Sequence, residues 1–306
     1  MSAAGSAAQS APNRPVLAAL WMIGALIGFS SMAIAGRELA AGLDTFEIMF
    51  YRSGLGLVTI LLVSSAFGTR HTITARAMPL HFARNISHFI GQNLWLYALT
   101  LIPLAQLFAV EFTSPVIVAL LAPLLLNERM SAMRALTAAL GFIGILIVAN
   151  PFDGAGLSPG VIAAILCAFG FAGSIIFTKK LTSQAHASVT CILFWLSVIQ
   201  LGLGAICAGF DGDIALPTFE QLPWLALIGL AGLGAHFSLT TALSLAPATV
   251  VIPVDFLRLP LIAIIGMNFY AEPFAINVFI GAALIFGANY INILREARAA
   301  KKPRPS

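Results

Sequence analysis

The 306-residue chain matches itself at a displacement of 144 positions. Laid over residues 242–291, residues 98–147 bring Ala98-Leu99-Thr100-Leu101-Ile102-Pro103 onto Ala242-Leu243-Ser244-Leu245-Ala246-Pro247, Glu111-Phe112 onto Asp255-Phe256, and Glu128 onto Glu272. Of these 50 pairs 13 are identical, and because an Ala/Leu/Ile-rich composition raises such a count by itself, the coincident prolines and acids carry the weight. The chain is therefore two copies of one unit, and its fold is whatever two such units bury together. With 59% hydrophobic and only 9% charged residues, the units belong in a membrane. Duplicated membrane units are a common build for secondary transporters.

A helix needs about 20 apolar residues to cross a bilayer core of about 30 Å. On that scale the chain divides into ten spans near 16–35, 46–67, 82–101, 104–126, 132–149, 160–178, 188–209, 222–243, 248–268 and 274–294. The links around Pro103 and Pro247 are short, and a proline there fits the first turn of the following helix. The expected organisation is an all-α integral membrane protein. It comprises a disordered cytosolic tail (1–15), a first repeat (16–150), a second repeat (160–295) and a basic cytosolic tail (296–306). Arg14, the apolar run from Val16 and Ala33-Ile34-Ala35 imitate a signal peptide, but the run is as long as a true span and completes the first repeat.

With both termini inside, the cytosolic segments hold Arg14, Arg70, Arg76, Arg84, Arg129, Arg134, Lys179, Lys180, Arg295, Arg298, Lys301, Lys302 and Arg304, which is 13 of 16 basic residues. Arg37 lies outside with Glu38, Asp44, Asp153, Asp211, Asp213, Glu220 and Glu272. This asymmetry follows the positive-inside rule. Five spans per copy is an odd number, so the second copy runs upside down relative to the first. The net charge of +4 is thus topological, and no nucleic-acid partner is expected. Cys167, Cys191 and Cys207 are embedded in apolar runs without metal-ligand spacing, so neither a disulfide framework nor a zinc site is expected.

Ten spans, a five-plus-five duplication, prolines opening spans 4 and 9, and a Glu closing each of those spans (Asn127-Glu128-Arg129, Ala271-Glu272-Pro273) resemble the drug/metabolite transporter superfamily, in its ten-helix EamA type. The resemblance covers nearly everything from Val16 to Arg295, although members more often have Gly before that Glu. It implies a carrier of small metabolites with a central cavity walled by both halves and no ATP-driven domain. It leaves the substrate open among amino acids, vitamins and nucleotide sugars.

Ionisable groups at membrane depth cost a few kcal/mol each and normally face protein or water. Glu111 lies eight residues beyond Pro103 and Asp255 eight beyond Pro247, about 12 Å along their helices from opposite faces. Both approach the middle, either as a proton or substrate-cation site or as structural ion pairs. Asp255 and Arg258 are spaced for a local pair. Arg52 reaches a depth similar to Glu111, where it either pairs across helices or holds a substrate carboxylate; Arg258 has the same two options. In span 3, His88, Gln92 and Trp95, with Asn85 slightly off line, stack on one side, and Gln92 falls on His236 under the repeat shift. Hydrogen-bonding groups at equivalent sites of inverted halves would face one another across a cavity. Tyr97, Trp195, Ser114 and Asn93 are weaker candidates. Gly24 and Gly28, and Gly170 to Gly173, suit close helix packing, with hinge motion or homodimer contact as alternatives.

The reading that results is a secondary active transporter of a small polar metabolite in the inner membrane, amino-acid-like or zwitterionic, with export favoured on the resemblance alone. Substrate binding is assigned to Arg52, His88, Gln92, Trp95, His236 and Arg258, and proton coupling or cation binding to Glu111 and Asp255. Uptake of riboflavin or S-adenosylmethionine is the alternative; a non-transporting sensor or assembly protein is the alternative from another class. No enzyme, cofactor or metal site is expected, since the five histidines show no ligand spacing.

Overall fold

A computed structural model describes residues 14–125, 132–150, 157–182, 188–210, 212–245 and 254–300. Glu128 and Pro247 of the repeat match, most of the N-terminal tail and the last six residues lie outside the described residues. The described elements are α1 (Pro15–Leu39), α2 (Thr45–Ala66), α3 (Met78–Leu101), α4 (Leu104–Glu111), α5 (Ser114–Leu125), α6 (Ala132–Ala149), α7 (Pro159–Thr182), α8 (Val189–Ala208), α9 (Leu222–Leu245), α10 (Arg258–Tyr270) and α11 (Ile276–Ala300), with a single 3-10 turn at Arg70–Thr72. Five of these, α1, α2, α7, α8 and α9, are long and apolar enough to cross a membrane.

Local chemistry explains where the helices begin. Asp44 caps α2 by accepting from the Glu47 amide at 2.8 Å while the Glu47 side chain accepts from the Asp44 amide at 2.8 Å, a reciprocal capping box. Ser188 caps α8 by accepting from the Cys191 amide. Prolines stand in the first turn of α1, α3 and α7, where a missing N–H costs nothing.

The helices pack as a two-fold pattern demands. α1 lies chiefly against α9 and α3 against α7, while α2 packs on α8 and α6 on α11. Exchanging the repeats turns the first pair into the second and each of the others into itself. At the two equivalent interfaces the backbones nearly touch. A methyl group on Gly28 of α1 would come within 2.8 Å of Ala235 Cβ, and one on Gly170 of α7 within 2.7 Å of Gly91 Cα. The small residues therefore serve the packing role expected of them. Helix α1, which resembles a signal peptide in sequence, is built into this arrangement through buried Ala18, Met22 and Ala25.

One expectation is corrected. The span placed at 104–126 is not continuous, because α4 ends at Glu111 and α5 starts at Ser114. Pro115 has no N–H for the Glu111 carbonyl, which instead accepts from Ser114 Oγ at 2.7 Å, while the Thr113 amide donates to Val110 in a tighter turn. The second repeat breaks at the matching place: Leu257 donates to Val254, and Pro260 has no N–H for Phe256. Glu111 and Asp255 thus sit at interruptions, not on helix faces.

Candidate functional site

The two interruptions face a cavity of about 420 Å³ between the halves. Phe29 of α1, a polar stripe of α3, the α4–α5 break, Phe171 and Ser174 of α7, His236 of α9 and the Asp255–Arg258 break line it. α3 supplies the stripe because its polar residues recur at helical spacing: Arg84, His88, Gln92 and Trp95 all reach the cavity, and all are buried. The same stripe keeps α3 out of the set of uniformly apolar helices.

At one end of the cavity three charges from both repeats converge. Arg258 Nη2 lies 3.2 Å from Glu111 Oε1 and 3.4 Å from Asp255 Oδ2, so one guanidinium serves both acids. Trp95 Nε1 donates to the other Glu111 oxygen at 2.8 Å. The rings of Phe29, Phe108 and Phe112 surround the guanidinium at 4.8, 4.9 and 5.0 Å, presenting their negative faces to it. Buried charges last only when paired and hydrogen-bonded in this way, and breaking one such set typically costs about 3–5 kcal/mol. The local Asp255–Arg258 pair is present as the spacing suggests. Arg52 and Glu111 do not pair, for Arg258 and Trp95 occupy the Glu111 oxygens.

The middle of the cavity is aromatic and hydrogen-bonding. His88 and His236 stand 6.0 Å apart, Phe29 meets His236 edge-on, and Phe171 lies 5.7 Å from His88. Gln200 Nε2 is 2.8 Å from His88 Nδ1. An amide N–H donating there leaves His88 Nε2–H free to act as a donor. Gln92 Nε2 is buried with no partner, a donor with nothing to bind. Gln92 and His236, equivalent under the repeat shift, both line the cavity.

Arg84 was missed as a site residue by the sequence reading, which counted it among the cytosolic charges. It is only 6% exposed, its Nη1 donates to Asn85 Oδ1 at 2.9 Å and its Nε to Thr178 Oγ1 at 3.3 Å, and no carboxylate is bonded to it among the described residues. Its position one turn before His88 was an available signal; Phe29 and Phe171, apolar residues on apolar helices, gave none. Arg52 does not line this cavity. Its guanidinium faces a separate small space behind His236. The weaker candidates are structural, apart from Ser114, whose hydroxyl also reaches the cavity. Asn85 donates to the Trp195 carbonyl, Trp195 to the Thr74 carbonyl and Asn93 to the Phe89 carbonyl, while Tyr97 is half exposed. Cys167 and Cys191 are packing residues. Among the described residues no His, Cys, Asp or Glu cluster could hold a metal.

On the side of the protein away from Thr178 and Val189, a clamp joins the halves. Arg37, at the end of α1, donates to the carbonyls of Leu99 (3.0 and 2.6 Å) and Ile102 (2.9 Å) and pairs with Glu272. Glu272, just beyond α10, also accepts from the Leu104 amide at 2.9 Å. Both side chains therefore grip the link around Pro103.

Residues 16–150 and again 158–294 match the EamA-like transporter family. The chain is 32% identical to a riboflavin transporter of Rhizobium johnstonii, over 95% of this chain and 96% of the relative. It is 27% identical to an S-adenosylmethionine uptake transporter of Rickettsia bellii, over 92% and 95%. A solved structure described only as the crystal structure of a protein shares the fold, with a TM-score of 0.60, 19% identity, and coverage of 93% of this chain and 99% of that one.

Proposed function

Since this chain belongs to the EamA-like transporter family, within the drug/metabolite transporter superfamily, we propose that it carries riboflavin or a solute of that kind, a flat hydrogen-bonding heteroaromatic with a polyol arm, inward across the inner membrane. The observation that carries this reading is the charge balance of the cavity lining: Glu111 and Asp255 both bond to Arg258, and Arg84 supplies the second positive charge, so the lining offers a cationic solute no net negative charge. An amino-acid-like solute would have to draw an acid away from Arg258 for its ammonium, and a sulfonium solute would have to do the same. A neutral ring system has no such need. Trp95, Phe29 and Phe171 supply stacking walls, and Gln92, Arg84 and His88 supply donors for ring carbonyls. The volume of about 420 Å³ falls within the range of about 300–1,000 Å³ usual for such ligands.

Transport follows by alternating access. The cavity extends to Thr178 and Val189, at helix ends that the charge asymmetry puts in the cytosol together with both termini, while the Arg37–Glu272 clamp closes the other face. Glu111 and Asp255, one from each half, are the proton-coupling groups: protonating either weakens its hold on Arg258 and loosens the joint between the halves. Arg84, which has no acid partner among the described residues, supports a second reading in which an anionic or zwitterionic metabolite is exported, its carboxylate on the guanidinium.

Counterflow of labelled riboflavin in proteoliposomes decides between them. Saturable exchange that lumiflavin competes for and dicarboxylic amino acids do not supports the first reading; the reverse competition supports the second. Absence of exchange across a broad metabolite panel would leave a sensor or assembly role.

A further inference from the structure

Behind the wall made by His88 and His236 lies a small space of about 20 Å³, reached by Arg52 and Ser53 of α2, Ser197 and Gln200 of α8, and Gly232 and His236 of α9. No carboxylate lines it among the described residues. Arg52 is 7% exposed, and the contact its guanidinium makes among the described residues is between Nη1 and Met49 Sδ at 3.6 Å, a weak acceptor. Glu47, the nearest acid along α2, is committed to the amides of Asp44 and Ala215. A guanidinium carries five N–H donors and a full charge, and both press for an acceptor when water is removed. Arg258 has two carboxylates and Arg84 faces the large cavity; Arg52 has a space that admits one body about the size of a water molecule.

We infer that Arg52 binds a single small inorganic anion of chloride's size in this space. The Ser53 hydroxyl and the Gln200 amide hydrogen not used on His88 complete the donor set. A neutral water would satisfy donors but leave the charge uncompensated, and sulfate or an organic carboxylate is too large. The site touches the transport cavity at two points, because His236 lines both spaces and Gln200 holds His88. Occupancy therefore fixes the two rings that face the transported solute, whatever that solute is.

The test uses purified full-length protein and labelled chloride in equilibrium binding, with no transported solute present. One saturable site is expected, displaced by bromide but not by sulfate or gluconate, and abolished in Arg52→Gln. Ser53→Ala should bind about tenfold more weakly, the value of one charge-assisted hydrogen bond. If Arg52→Gln does not fold, Gly232→Ala serves in its place: the added methyl lies 3.7 Å from Arg52 Nε and narrows the space while keeping the charge. Chloride-specific loss of binding in that variant supports the site. Absence of saturable halide binding in the wild type, meaning that the space holds water only, overturns the inference, as does binding unchanged by all three substitutions. Neither result bears on riboflavin exchange, so the two readings fail separately.

Discussion

Replacing Glu272 with Gln should free the clamped face of the protein. Glu272 accepts from both Arg37 and the Leu104 amide, and the two side chains are only 18% and 11% exposed, so solvent screens the pair weakly. Glutamine keeps one acceptor oxygen and loses the charge, and so forfeits at least one charge-assisted hydrogen bond, worth about 2 kcal/mol. At about 1.4 kcal/mol per factor of ten, the population open at this face rises about 30-fold relative to the closed one. The assay is labelling of a cysteine at Gln92 by a membrane-impermeant maleimide on whole cells. Cys207 is changed to Ser, because Cys167 and Cys191 are buried. The labelling rate should climb with the population and return to baseline when Glu272 is restored. A rate unchanged in Glu272→Gln, with the protein present at normal levels, refutes the idea that this ion pair holds the face shut.

Three further outcomes are expected. Arg258→Met strands two carboxylates and should destabilise the protein by about 3–5 kcal/mol in thermal unfolding, with Glu111→Gln restoring part of the loss in the double variant. Glu111→Gln alone should flatten the pH dependence of transport in proteoliposomes; an unaltered profile would remove Glu111 from coupling. Gly170→Ala drives a methyl to 2.7 Å from Gly91 Cα and should cost about 1–3 kcal/mol, read as a lower melting temperature, whereas Gly234→Ala, with open space around it, should be neutral.

Much of the architecture was legible in the residues. Hydropathy is a local property, summed along one helix, and it placed nearly every described helix end within a few residues. The repeat shift paired Glu111 with Asp255 and Gln92 with His236, and both pairs come together around the cavity. The helix breaks were legible too in retrospect, since Pro115 and Pro260 mark them, yet an unbroken apolar run hides an interruption whose freed carbonyl is satisfied by a serine.

What the chain alone determined was a membrane protein of two matching halves with polar groups at mid-depth, because composition and spacing decide how much surface must leave water and in what rhythm. Which of those groups meet was settled only by folding. Arg258 belongs to Glu111 across 147 positions, Glu272 grips the link at Leu104 across 168, Arg84 turns inward, and Arg52 is set apart from the main cavity. A hydrogen-bonded ion pair forms only when nitrogen and oxygen come within about 4 Å, and only the packing of helices distant in sequence brings charges within that reach.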